Sequence, residues 1–256
     1  MTYLDVGGCN LYYEDHPGPE GAPTLIFLHG AAGNHISWWQ QIPYFSKNYR
    51  CITIDHRGFC WSEDKSQEGG SQFVEDLKLL IDELGLESVG LICQSMGGRT
   101  GLGLSIKYPE RVWGLVMGGT WGFFDWPEQK ALAESLKESS APLSLEQRAI
   151  GNKFKREYPQ SSFLYEQIAN LNPPRNPNIT SVSADTPTLA DVMKLSVPML
   201  ALVGKEDVVI PAPLIQAFAN IIDGATYIEL EDLGHSVYFE NPSLFNELVS
   251  NFLETI

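Results

Sequence analysis

The ten residues Val89-Gly90-Leu91-Ile92-Cys93-Gln94-Ser95-Met96-Gly97-Gly98 constrain this chain more than any other stretch. Five residues with almost no polarity run towards a serine. Small residues flank that serine at i−2 (Cys93) and at i+2 (Gly97). A glycine-rich helical pattern follows over 96–108, and Pro109 stops it because proline cannot continue a helix. The pattern predicts a buried strand, a sharp turn and a helix. Such a turn holds its central residue in strained backbone and needs small neighbours on both sides. The Ser95 hydroxyl would then stand above the sheet. The amide of Met96 would open the helix, where backbone donors are free and the dipole favours negative charge. The same five residues also fit an ordinary strand-to-helix turn with a surface serine, so the rest of the chain must decide.

Strands are predicted over 9–14, 24–28, 50–55, 112–117, 197–203 and 226–230, each rich in apolar residues and bounded by turn chemistry. Residues 36–47, with Trp38, Trp39, Ile42, Tyr44 and Phe45, read as helical. A helix over 73–84 puts Phe73, Leu77, Leu80, Ile81 and Leu84 on one face, and Gly85 closes it. Alternating strands and helices with short connections imply an α/β fold with a mostly parallel sheet and helices on both faces. The alternation stops over 120–191, where helices are expected over 127–139 and 145–158 and no strand is convincing. The chain therefore divides into a core of 1–119 and 192–256 and an inserted helical cap of 120–191. The cap begins with Trp121, Phe123, Phe124 and Trp126. These rings either complete a helical core or line a substrate pocket beyond the strand's carboxyl end.

The serine turn resembles the nucleophile elbow G-x-S-x-G of the α/β-hydrolase family, with Cys93 in place of the first glycine and Gln94 before the serine. His29-Gly30-Ala31-Ala32-Gly33 is similar to that family's loop after the third strand. Asp55-His56-Arg57-Gly58-Phe59-Cys60-Trp61-Ser62 is similar to its D-x-R-G-x-G-x-S turn, with Cys60 replacing the second glycine. Gly204-Lys205-Glu206-Asp207 resembles the turn that carries the acid, and Asp232 competes with Asp207 for that role. The resemblance implies Ser95 as nucleophile, Asp207 as acid and His235 as base, with the amides of Ala31 and Met96 as oxyanion hole. Of the five histidines, only His235 follows Ser95, so one histidine alone satisfies the order serine, acid, histidine. His29 and His56 read as structural residues of their loops.

The resemblance implies a serine hydrolase acting on a carboxylic ester or lactone through an acyl-enzyme. The alternatives are a C–C bond hydrolase or enol-lactonase of the same fold, or a ligand-binding, receptor-like member with slow turnover. A dicarboxylate-like substrate would need a cation, for which Arg99, Arg148, Arg156 and Arg175 are the candidates, although each also reads as an ordinary surface or loop charge. No metal or cofactor is implied.

Composition narrows the partners. A net charge of −15 repels phosphate backbones and anionic lipids, which argues against nucleic acid and membranes. The expected partner is a small-molecule ester or lactone, and the oligomeric state stays open. Four cysteines, none in a C-x-x-C pair, predict free thiols and a cytoplasmic protein. The first residues, Met1 to Asp5, lack the basic start and apolar run of a signal peptide.

Overall fold

A computed structural model describes residues 2–136, 143–174, 176–180 and 186–256. Eight strands make one sheet: β1 (Thr2–Asp5), β2 (Asn10–His16), β3 (Thr24–Leu28), β4 (Arg50–Ile54), β5 (Val89–Gln94), β6 (Val112–Gly118), β7 (Met199–Gly204) and β8 (Thr226–Leu230). Their order is β1-β2-β4-β3-β5-β6-β7-β8. The two pairings made by β2 are antiparallel and the remainder are parallel. Every residue of β3, β5 and β7 is buried. Continuous apolar strands of this kind require cover on both faces.

The helices supply that cover. They are α1 (Ile42–Phe45), α2 (Phe73–Glu83), α3 (Gly97–Lys107), α4 (Pro127–Ser135), α5 (Leu145–Arg148), α6 (Asn152–Glu157), α7 (Pro159–Ala169), α8 (Leu189–Val192), α9 (Ala212–Asn220), α10 (Val237–Glu240) and α11 (Pro242–Leu253). Side chains alternate along β3, so Ile26 and Leu28 join Leu77, Leu80, Leu102 and Phe218 on one face. Leu25 and Phe27 join Trp38, Phe45, Phe245 and Val249 on the other. Burying each such side chain contributes about 1.5–3 kcal/mol.

The sheet order reverses direction between β3 and β5. Parallel sheets bind ligands beyond the carboxyl ends of the strands at such a switch point. The loop after β3 and the turn after β5 flank it. Among the described residues of 120–191, helices alternate with loops, and the single β contact is a bridge between Asp125 and Thr188.

Two expected helices are divided. The helix expected over 36–47 is a 3-10 turn at His35–Trp38 followed by α1. Pro43 has no N–H to continue the first turn, so the helix restarts at Ile42. The helix expected over 145–158 is α5 and α6, separated at Gly151, whose backbone is extended (φ −64°, ψ 151°). The edge strand β1 and helix α9 were not anticipated.

Candidate active site

Ser95 sits between β5 and α3 with a left-handed backbone (φ 49°). L-residues rarely adopt this conformation, and hydrogen bonds hold it here. The Ser95 N–H donates to the Gly118 carbonyl at 2.9 Å, and the Ser95 carbonyl accepts from the Gly98 N–H at 2.9 Å. A Cβ on Gly97 would collide with the Leu28 carbonyl oxygen at the end of β3, so only glycine fits. A Cβ on Gly101 would collide with the Cys93 sulfur. The glycine missing from the elbow at Cys93 is therefore offset by a glycine one turn into α3.

His235 follows β8 and Asp207 follows β7. His235 Nδ1 lies 2.7 Å from Asp207 Oδ2. The other carboxylate oxygen accepts the N–H groups of Val209 and Ile210, each at 2.8 Å. An ionised carboxylate only accepts, so this geometry assigns the imidazole proton to Nδ1 and leaves Nε2 as acceptor. Both residues are buried, His235 at 3% and Asp207 at 4% exposure. Gly204 makes the approach possible, because a Cβ there would strike the carbonyls of Leu233 and Gly234. Asp232 instead points to solvent and pairs with Lys153 at 2.5 Å.

Ser95 and His235 line one small cavity with Gly30, Ala31, Gln94 and Tyr238, and Leu145, Ala149 and Tyr165 from the 120–191 segment also line it. The Gln94 amide donates to the His235 carbonyl at 2.9 Å and so ties the serine turn to the histidine loop. Ala31 packs beside the cluster that holds Met96. Ala31 and Leu145 also border a cleft of about 410 Å³, along with Ser144, Glu146, Asn170 and Asn172. The Asn172 amide spans the two loops beneath it, donating to the Gly33 carbonyl and accepting from the Cys60 N–H, each at 3.2 Å.

His29 and His56 brace loops. His29 Nδ1 is 2.8 Å from the Gly30 carbonyl, and its Nε2 accepts the His56 N–H at 2.9 Å. Burial pushes His29 down to about 4, against the Asp55 charge and its Gly30 bond. His56 Nε2 is 3.0 Å from the Thr100 hydroxyl.

Trp121, Phe124 and Trp126 do not border the serine cavity as described. They are buried in the core on the α9 side, where Phe124 lies 6.1 Å from Phe218 between ring centres. Phe123 and Phe124 border a separate cleft beside α2 and α3, which Arg99 also lines. Arg148 is half-buried and Arg156 is exposed, and neither borders the serine cavity. Arg175 lies outside the described residues.

One group of metal-type ligand atoms occurs among the described residues, His35, Asp55 and Cys60, within 4.8 Å of one another. Protein donors already occupy that carboxylate. His35 contributes its N–H at 2.7 Å and Nδ1 at 2.8 Å, and Trp61 its N–H at 3.1 Å. Burial and then the Asp55 charge push the Cys60 thiol up to about 12, so it stays protonated at neutral pH.

Sequence reading missed Gln94, Leu145, Tyr165 and Glu240. Glu240 had one visible signal: it is an acid ending the apolar run Val237-Tyr238-Phe239.

A serine on a left-handed strand-to-helix turn, with a carboxylate-bound histidine at the same end of a parallel sheet, defines the α/β-hydrolase class. Residues 23–154 match the family model described as alpha/beta hydrolase fold, and the chain belongs to that family. It is 24% identical over 254 residues to 3-oxoadipate enol-lactonase 1 of Acinetobacter baylyi, covering 93% of this chain and 91% of that one. It is 26% identical over 270 residues to the 2-hydroxy-6-oxononadienedioate/2-hydroxy-6-oxononatrienedioate hydrolase of Escherichia coli K12, covering 91% and 88%. A thermophilic esterase from Thermogutta terrifontis shares the fold with a TM-score of 0.81 at 24% identity, covering 96% and 94%.

Proposed function

We propose that the chain is a serine hydrolase that cleaves a carboxylic ester or lactone through an acyl-enzyme. The observation that carries this reading is the convergence of Ser95 and the Asp207-bound His235 on one cavity. Ser95 Oγ attacks the carbonyl carbon while His235 Nε2 takes its proton. Asp207 orients the ring and stabilises its charged form. The amides of Ala31 and Met96 hold the oxyanion, and a donor of this kind contributes roughly 10²–10³ in kcat. Collapse expels the alcohol, which takes the proton from His235. Water then attacks the acyl-enzyme while His235 takes its proton, and His235 gives that proton to Ser95 Oγ as the acid leaves. The electrons and protons balance without a metal or cofactor.

In this reading residues 120–191 form a cap over a core of 1–119 and 192–256. Leu145, Ala149 and Tyr165 support it, since all three line the cavity that Ser95 and His235 share. Three buried free cysteines, Cys9, Cys51 and Cys93, fit a reducing cytoplasm.

The cleft beside Ala31 is the proposed substrate site, in place of the aromatic cluster. Its charged lining residue is Glu146, and no Lys or Arg borders it among the described residues. This favours a neutral ester over a dicarboxylate. The names of the Acinetobacter and Escherichia coli relatives favour a second reading, an enol-lactonase or C–C bond hydrolase.

The test is a series of p-nitrophenyl esters together with labelling by a fluorophosphonate probe. Ser95→Ala should lose the label and about 10⁶ in kcat. Near-native turnover in the folded variant removes the proposal. A native chain that binds ligand without turnover is receptor-like instead.

A further inference from the structure

Glu240 ends α10, five residues after His235, and is 7% exposed. Its carboxylate accepts three backbone N–H groups: Gly234 at 2.9 Å, Gly151 at 3.0 Å and Ser236 at 3.3 Å. Gly234 and Ser236 flank His235, while Gly151 lies in the cap between α5 and α6. A single buried side chain thus ties both neighbours of the base to the cap. The fit is close: a Cβ on Gly234 would lie 2.5 Å from the Gly151 nitrogen, and a Cβ on Gly151 would lie 2.9 Å from the Glu240 carboxylate. A second tie runs parallel to it, from the Tyr165 hydroxyl of α7 to the Ser236 hydroxyl at 2.9 Å.

Burying a carboxylate is costly unless donors surround it, and charge-assisted bonds from N–H groups are the strong kind. Burial pushes the Glu240 carboxyl up, and its bonds to Gly234, Gly151 and Ser236 and the His235 charge draw it down. The ionisable groups facing it are His235 on its own loop, Glu206 after β7, Lys155 on α6, Tyr165 on α7 and Tyr238 on α10.

We propose that Glu240 is a positioning residue that locks the His235 loop to the cap as one unit and favours the protonated ring formed in each half-reaction. The catalytic part of this rests on the reading of His235 as the base. Under this assignment cap placement and base placement are not independent: displacing the cap at Gly151 displaces His235.

The test uses the full chain with Glu240→Gln, which keeps the shape and removes the charge, and Glu240→Asp, which keeps the charge and shortens the reach. NMR follows the His235 ring titration, and steady-state kinetics give kcat and KM on a neutral ester. In E240Q the ring should titrate at lower pH than in the native chain. Its kcat should fall about tenfold or more, the scale of a sub-ångström displacement of a catalytic group, with KM changed much less. E240D should titrate as the native chain does and recover part of kcat. Folded E240Q with a native titration and kcat within about twofold overturns the proposal. If E240Q does not fold, E240D decides, and native kcat there overturns the positioning role. The titration needs no turnover. If the native chain hydrolyses no ester yet the titration moves as stated, the hydrolase reading falls and the clamp stands.

Discussion

Asp207 shows how much of the site depends on where single protons sit. In Asp207→Asn the amide oxygen is still needed by the Val209 and Ile210 N–H groups, so the NH₂ faces His235 Nδ1. That forces the ring proton to Nε2, the atom that accepts from Ser95 in the proposed mechanism. We expect kcat to fall about 10⁴-fold with little loss of fold. Asp232→Asn should leave kcat nearly native. Asp232 is exposed at φ 60°, where asparagine is equally at ease. Kinetics of the two variants side by side check this, and the reverse ranking would reassign the acid. His29 makes a second prediction, about stability. Its folded value of about 4 lies below the unfolded 6.5, because burial disfavours the charge. The unfolded chain therefore binds the proton first, and stability present above pH 6.5 is lost as pH falls towards 4. The gap corresponds to about 3 kcal/mol, and His56, lowered by burial and by His29, acts in the same direction. Urea midpoints measured through this window should fall steeply, and less so in His29→Gln. A flat profile would contradict it.

At the scale of elements, the serine turn was legible because its demands are local: an apolar strand, small flanks and a helix start. His235 stood out in the sequence as the one histidine that follows Ser95, the order that the α/β-hydrolase resemblance implies. What could not be read was long-range partnership. Residues 145–158 have helical character throughout, yet the chain opens at Gly151 because the Gly151 N–H is taken by Glu240, 89 positions away. The aromatic start of the cap left core and pocket equally open, and α9, which decides it by presenting Phe218, was hidden behind Pro211. The accommodation of Cys93 by Gly101 was equally invisible and gives a third prediction. Gly101→Ala gains helix propensity of about 1 kcal/mol but drives a methyl into the Cys93 sulfur, and overpacking costs about 1–3 kcal/mol. It should destabilise the native chain and do so less, or not at all, in a Cys93→Gly background. A double-mutant cycle by urea denaturation measures the coupling. Strictly additive effects would mean that the two positions do not share the space.

Across the whole molecule, a net charge of −15 surrounds a cleft whose charged lining residue is an acid. Salt screens such fields over a Debye length of about 8 Å at physiological strength. Added salt should therefore raise kcat/KM for a carboxylate-bearing ester or enol-lactone and leave a neutral ester unchanged. If the anionic substrate is faster at low salt, and Arg175→Ala removes that advantage, the dicarboxylate reading replaces the neutral one. The sheet order has a consequence of another kind. β6 and β7 are hydrogen-bonded neighbours, yet all of residues 120–191 lie between them in the chain. Ser95 is made early, while Asp207 and His235 come only after residues 120–191. Under the proposed mechanism a chain still emerging from the ribosome carries Ser95 without its base, and a serine hydroxyl without a base is a poor nucleophile. In that reading the nucleophile is the first part of the site to be made and the last to be armed.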